Sequence, residues 1–181
     1  MKDLEEHFVS GELVYDGALL KVRCDRVRLP DGGEATREYI RHPGAVAIVP
    51  LFEDGTVLLE RQFRYPHRRT FIEVPAGKLD PGEPPEQCAR RELQEETGYR
   101  AGRIVRTGEI LTAPGFTDER IHLFCAYDLI AGAAAPEPNE NLELHEVTLE
   151  RALEMIAGGE IVDAKSIVGL FHAARAVGRL R

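Results

Sequence analysis

Three glutamates, Glu92, Glu95 and Glu96, stand at positions i, i+3 and i+4. In a helix that spacing places all three carboxylates on one face. Like charges so spaced repel, destabilising an isolated helix by about 0.2–0.5 kcal/mol per pair. Hard divalent cations, which take oxygen ligands, relieve that repulsion. Taken alone, the trio reads better as a solvated acidic face paired with Arg90 and Arg91. The surrounding residues support a helix over 86–97. Pro84 or Pro85 suits a first turn, where a missing N–H costs nothing. Ala89 and Leu93, four apart, give an apolar edge, and Gly98 serves as the C-terminal cap.

The wider segment decides between the readings. Gly77, Glu83, Arg91, Glu92, Leu93, Glu95, Glu96 and Gly98 form an ordered pattern: Gly, five residues, Glu, seven residues, Arg-Glu, an aliphatic, one residue, Glu-Glu, one residue, Gly. From average residue usage its chance probability is on the order of 10⁻⁹ per start position. The segment resembles the signature of the Nudix hydrolases. Tyr99 is the one departure, at a packing position where an aliphatic residue is usual.

The resemblance runs in layout from about Gly11 to Phe171. It implies an α/β/α sandwich around a central mixed sheet, with the signature as a loop–helix–loop. It further implies Glu92 and Glu96 as direct metal ligands, with Glu95 a further ligand or a contact to metal-bound water. The carbonyl of Ala76 is implied as another ligand, and Glu83 with Arg91 as a structural ion pair. Mg²⁺ is the implied ion, with Mn²⁺ as the alternative and more than one ion per site. The chemistry suits a polyphosphate. A bound metal neutralises phosphate charge and lowers the pKa of water, and a nearby carboxylate takes the proton.

Other segments bear on the substrate. Pro114 lies fifteen residues beyond Tyr99, a spacing that resembles the ADP-ribose pyrophosphatase subgroup. The run Pro114-Gly115-Phe116-Thr117-Asp118-Glu119 resembles the subgroup's loop. There Glu119 corresponds to the candidate catalytic base, with Glu95 its competitor, while Pro114 and Gly115 border substrate. Arg64, in Glu60-Arg61-Gln62-Phe63-Arg64, resembles the subgroup arginine that approaches phosphate, a role suited to a planar fork of donors. Glu73 resembles a glutamate beside the metal or ribose. Arg37 and Glu38 are implied contacts to the adenosine half, and ordinary exposed strand residues otherwise. Tyr15, Tyr39 and Phe63 read as core aromatics, with adenine stacking as the alternative.

These groups need a scaffold, and the chain is long enough for one. It has 181 residues, 43% of them hydrophobic, so it is globular. The net charge of −8 excludes a whole-molecule basic field for nucleic acid; a metal still bridges an acidic protein to phosphate. Cys24, Cys88 and Cys125 show no zinc spacing and read as buried or half-buried thiols in a reducing compartment. There is no apolar run of membrane-spanning length and no signal-peptide pattern, so the expectation is a soluble, cytoplasmic protein.

Strands are expected over 19–29 and 34–41, turned by Pro30–Gly33. A second hairpin is expected from 45–52 and 56–63 around Glu53-Asp54-Gly55. Further strands fall at 71–74, 104–111, 121–129 and 142–147, with closing helices at 149–157 and 164–176. Residues 131–141 read as a surface loop. The layout implies an N-terminal strand extension, 1–43, before a hydrolase domain, 44–181. A lone hairpin is marginal in water. In the resembling enzymes the extension crosses to a second subunit, so a two-fold homodimer with exchanged N-terminal strands is expected. The expected partners are the small nucleoside diphosphate substrate and a second copy of the chain, with no nucleic acid and no membrane.

The expected activity is Mg²⁺-dependent hydrolysis of ADP-ribose to AMP and ribose 5-phosphate. Three rivals are weighed. A GDP-mannose type nucleotide sugar would change only the substrate. A catalytically inactive nucleotide-binding regulator would usually lack the carboxylates present here. An enzyme acting on mutagenic nucleoside triphosphates would commonly lack the N-terminal strands and Pro114.

Overall fold

Residues 45–50, AVAIVP, are apolar at every position, the pattern of a strand covered on both faces. In the computed structural model, which describes residues 3–135 and 141–179, they form such a strand, buried throughout. The elements run β1 (His7–Asp16), β2 (Lys21–Arg28), β3 (Glu34–Arg41), β4 (Ala45–Pro50), β5 (Thr56–Arg64), β6 (Arg69–Glu73), β7 (Ala76–Lys78) and α1 (Pro85–Thr97). After these come β8 (Tyr99–Leu111), β9 (Arg120–Ala131), β10 (Leu142–Thr148), α2 (Leu149–Ala157) and α3 (Ala164–Ala176). They divide into two compact units: residues 44–110 with 121–181, and residues 1–43 with 111–120.

In the larger unit β4 lies inside a sheet of order β7-β4-β9-β8, antiparallel to β7 and parallel to β9. Its side chains alternate, as the pleat requires. Val46 and Ile48 join Cys88, Ala89, Leu93 and Phe124 under α1. Ala47 and Val49 join Leu123, Met155, Leu170 and Ala173 toward α2 and α3. The result is the expected sandwich around a mixed sheet. Side chains cap the two closing helices: Thr148 accepts from the Arg151 N–H and Asp163 from the Ser166 N–H.

The second hairpin is present only at its turn: the Phe52 N–H reaches Thr56 O at 2.8 Å and one antiparallel bridge joins Leu51 to Val57. Beyond the turn β5 pairs with β10 and β6 in a separate three-stranded sheet. A strand has two edges, and both edges of each strand are taken by other partners. The short β7 and the 3-10 turn Tyr65–His67 were not expected either; at three residues each they carry no periodicity. β8 begins directly at Tyr99, earlier than position 104. Of the loop expected over 131–141, residues 136–140 lie outside the described residues.

The smaller unit is the antiparallel sheet β1-β2-β3. Residues 111–120 attach to it through main-chain bonds from the Ile40 N–H to Phe116 O (2.9 Å) and from the Asp118 N–H to Ile40 O (3.2 Å). The segment that resembles the subgroup's loop is thus bonded to β3. β1 is exposed along its whole length, including Phe8, Leu13, Val14 and Tyr15. No helix among the described residues is long and apolar enough to cross a membrane.

Candidate active site

The signature helix starts as its prolines dictate, with Pro84 as N-cap and Pro85 as the first helical residue. It stops at Gly98, whose φ of 77° lies in the left-handed region that glycine tolerates, and whose N–H reaches Gln94 O at 2.9 Å. Between these ends Leu93 and Ala89 are buried under the sheet, which turns Glu92 and Glu96 toward β7. Both carboxylates are themselves buried. Glu96 Oε2 accepts from the Ala76 N–H at 3.0 Å. Glu92 lies against Gly77 so closely that a Cβ there would come within 1.9 Å of its carboxylate carbon. Glycine at 77 is therefore a steric requirement of the carboxylate cradle.

Arg91 organises the rest. Its Nε and Nη2 donate to the two oxygens of Glu83 at 3.0 and 2.9 Å, and Nη2 also reaches Lys78 O. Its Nη1 donates to Glu92 (2.8 Å) and Glu95 (3.0 Å). Hydrogen bonding from Arg91 pulls the Glu83 carboxyl down to about 2, against a smaller opposing effect of burial. The guanidinium is pushed up in turn, chiefly by Glu83. Burial pushes the thiols of Cys88 and Cys125 up, the latter to about 11. Tyr99, the departure from the signature, packs edge-to-face on Phe52 with ring centroids 5.3 Å apart.

Among the described residues no three acidic, imidazole or thiol groups already converge as a metal cage. Glu92 and Glu95 share Arg91 Nη1 instead. The donor set still fits a hard divalent cation: two buried carboxylates with a third on the same helix face, one of them packed against a glycine that makes room for it.

Other expected site residues fall into two groups. In the larger unit Arg64 makes a bidentate pair with Glu73, Nε to Oε1 at 2.9 Å and Nη2 to Oε2 at 2.7 Å. Glu73, expected beside metal or ribose, is buried, and Lys165 Nζ also donates to its Oε2 at 2.5 Å. Burial opposes ionisation of Glu73, yet Arg64 and Lys165 hold its carboxyl below the usual range. Lys165 also pairs with Asp163 at 2.9 Å. It lies 92 residues from Glu73, so no local pattern pointed to it. Phe63, read as core, is exposed at 55%.

In the smaller unit Pro114–Asp118 and Arg37–Tyr39 line one groove of about 230 Å³. Arg37 is tied to Glu6, with Nε to Oε2 at 2.9 Å. Tyr39 donates its hydroxyl to buried Asp25 at 2.9 Å, which also accepts from Arg23. Tyr15, like Tyr39 and Phe63 read as core, is 58% exposed. Glu119 is half-buried at the end of this segment. Thr112 Oγ1 donates to its Oε2 at 2.5 Å, and His42 Nε2 lies 3.6 Å from its Oε1. The His42 N–H and Arg41 clamp the neighbouring Asp118 at 2.7 and 2.8 Å. His42 carried no signal in the sequence reading; only its fold neighbours single it out.

Comparison with known proteins agrees with this geometry. The NUDIX domain model matches residues 41–167, and the model for the nucleoside diphosphate sugar hydrolase N-terminal domain matches residues 6–40. The chain is 42% identical over 168 residues to an ADP-ribose pyrophosphatase of Bacillus subtilis (strain 168), covering 92% of this chain and 91% of that protein. It is 34% identical over 173 residues to a GDP-mannose pyrophosphatase of Citrobacter koseri, covering 91% and 86%. A crystal structure of an ADP compounds hydrolase superposes with a TM-score of 0.86 at 21% identity, over 99% of this chain and 100% of that one. Buried helix carboxylates packed on Gly77, an Arg91 clamp and a domain match across most of the chain agree: this protein belongs to the Nudix family, as a hydrolase of nucleoside diphosphate compounds.

Proposed function

We propose that the protein hydrolyses the pyrophosphate bond of ADP-ribose, water adding across the P–O–P link to yield AMP and ribose 5-phosphate. Nudix hydrolases generally use divalent metal ions; here Mg²⁺ is the proposed ion, Mn²⁺ its alternative, with more than one per site. Glu92, Glu96, Glu95 and the Ala76 carbonyl would hold it. When bound, the metal supplies Lewis acidity that offsets phosphate charge and acidifies water. Arg64, held in a fixed orientation by Glu73, donates to a phosphate oxygen. Glu119 takes the proton from the attacking water, with its carboxylate oriented by Thr112. Arg37, Glu38, Pro114 and Gly115 receive the adenosine half.

The observation that carries the substrate reading is the groove between Arg37–Tyr39 and Pro114–Asp118. It supports the reading because residues 114–118 border a strand that carries one cation, one carboxylate and one aromatic ring. The test is a turnover panel of ADP-ribose, other ADP-sugars, dinucleotides and GDP-mannose with Mg²⁺, the products resolved by chromatography. ADP-ribose should lead, with AMP as product. GMP from GDP-mannose at a higher kcat/KM would select the second reading, which the similarity to the Citrobacter koseri protein favours.

The assembly proposed is a two-fold dimer with exchanged N-terminal strands. What supports it is β1, which leaves Phe8, Leu13, Val14 and Tyr15 in water on a sheet of only three strands. Light scattering tests it: a clean, fully active monomer at micromolar concentration would refute the shared site.

A further inference from the structure

The hairpin of β5 and β6 carries a charge pattern that the catalytic reading does not use. Its register places Arg64 directly opposite Arg69, Gln62 opposite Phe71, and Glu60 opposite Glu73. Opposed residues point to the same face of a sheet, with Cβ atoms about 4.5–5.5 Å apart. Like charges directly opposite destabilise a strand pair. Nevertheless, both arginines are held in place. Arg64 reaches back along the face to Glu73. Arg69 lays its guanidinium over the Phe71 ring, 4.4 Å from the centroid, and His67 packs edge-on against the same ring.

Next to this pair stands Arg68, whose φ of 54° is in the left-handed region that favours glycine; it stacks on Tyr65 at 3.5 Å. Among the described residues neither Arg68 nor Arg69 has a carboxylate at salt-bridge distance, although the chain carries an excess of acidic groups. Arg61, on the opposite face of the same strand, does have one, Glu143 at 2.6 Å. The tip is therefore a cluster of ordered, uncompensated positive charge.

Its position gives it a use. Ala76, Glu73, Phe71 and Arg69 follow one another along the chain on β6 and β7. The guanidinium of Arg64 sits at the level of residue 73 and that of Arg69 at the level of residue 71. Two residues of strand put those levels roughly 7 Å apart. That separation is too long for both arginines to grip one phosphate group, and suits two anionic groups in succession. Arg64 has already committed Nε and one Nη2 donor to Glu73. The Arg69 fork has all its donors available to a ligand.

We propose that Arg69, with Arg64 beside it, forms a second anion subsite beyond the diphosphate. It would take a phosphate monoester or carboxylate carried on the group attached to the nucleoside diphosphate. The enzyme then prefers charged over neutral attached groups. The inference rests on the reading that the diphosphate lies at the signature carboxylates with Arg64 on a phosphate.

The test compares matched ligands that differ only in that charge. ADP-glucose is set against its C6 carboxylate analogue, ADP-glucuronate, and ADP-ribose against the same molecule phosphorylated on its distal ribose. The two pairs distinguish a carboxylate from a phosphate as the preferred group. In the wild-type enzyme kcat/KM should favour the charged member of at least one pair by about tenfold or more, the scale of one charge-assisted contact. In Arg69→Gln that ratio should fall to near one, and Arg69→Lys should restore part of it. A wild-type ratio near one in both pairs overturns the subsite. So does a parallel loss on both members in Arg69→Gln, or a change of oligomeric state in place of the ratio, which would assign the tip to contact with a second copy. If no ADP compound is turned over, the functional reading fails separately. Equilibrium binding of the same pairs then still decides the subsite by the same ratio.

Discussion

The signature segment and the segment 111–120 both carry glutamates with expected catalytic roles, yet they are built in opposite ways. In the first, the decisive contacts are short in sequence: Arg91 to Glu83, eight residues apart, Arg91 to Glu95, four apart, and Ala76 to Glu96, twenty apart. In the second, Asp118 is fixed by a main-chain N–H 76 residues away. The loop that carries Glu119 takes its conformation from β3 of the N-terminal sheet. A helix with its caps and its ion pairs can be specified locally. A loop orientation bought by a distant strand edge cannot.

The sharpest way to break the contrast is to remove the local charges. Glu92→Gln and Glu96→Gln should each drop Mg²⁺-dependent turnover below detection while leaving the circular dichroism of the fold unchanged. Each removes one charge from a crowded acidic face, so thermal stability without metal should hold or rise. Glu92→Gln also gives up its ion pair with Arg91, so its gain should be the smaller. Near-normal rates in either variant would remove it from the metal site.

Deleting residues 1–41 tests the other side. The segment 111–120 would lose the strand it is bonded to, and the result should be an inactive or aggregating protein, read by size-exclusion chromatography and assay. A soluble, fully active truncation would show that the N-terminal sheet does not shape the site.

A smaller effect separates the two candidate bases. Glu119→Gln should lower kcat by roughly 10²–10⁴ with little change in KM. If instead it costs less than about fivefold while Glu95→Gln costs more than about 10², the proton goes to the helix carboxylate.

The smallest expected effect is a pH dependence. The Glu83 carboxyl is lowered from 4.5 to about 2 by Arg91. Its stabilisation is therefore present above about pH 4.5 and is lost as pH falls toward 2. Wild type should exceed Glu83→Gln in Tm at neutral pH by about 2–4 °C. The gap should close between pH 4.5 and 2. A gap independent of pH would assign the effect to packing.

Much of the fold was legible because local rules governed it. The caps Pro84 and Gly98 bracket α1, and the ranges of β3, α2 and α3 agree with the reading. The expected β4–β5 hairpin holds only at its turn, because Glu53-Asp54-Gly55 specifies a turn but not the sheet each strand enters. Tyr15 and Phe63 were read as core because large aromatics usually are; both are exposed.

The sequence by itself determined the reaction class. The carboxylates at i, i+3 and i+4, their arginine and their glycines are a local code that needs only helix geometry to be read. Tertiary structure alone decided which charges are committed to one another. Glu73 belongs to Arg64 and Lys165, Arg69 faces Arg64 with no counter-ion among the described residues, and Glu119 stands beside His42 and Thr112. The reason is physical. Ion pairing depends on proximity after folding, and strand register and edge pairing set that proximity between residues that sequence spacing leaves unrelated.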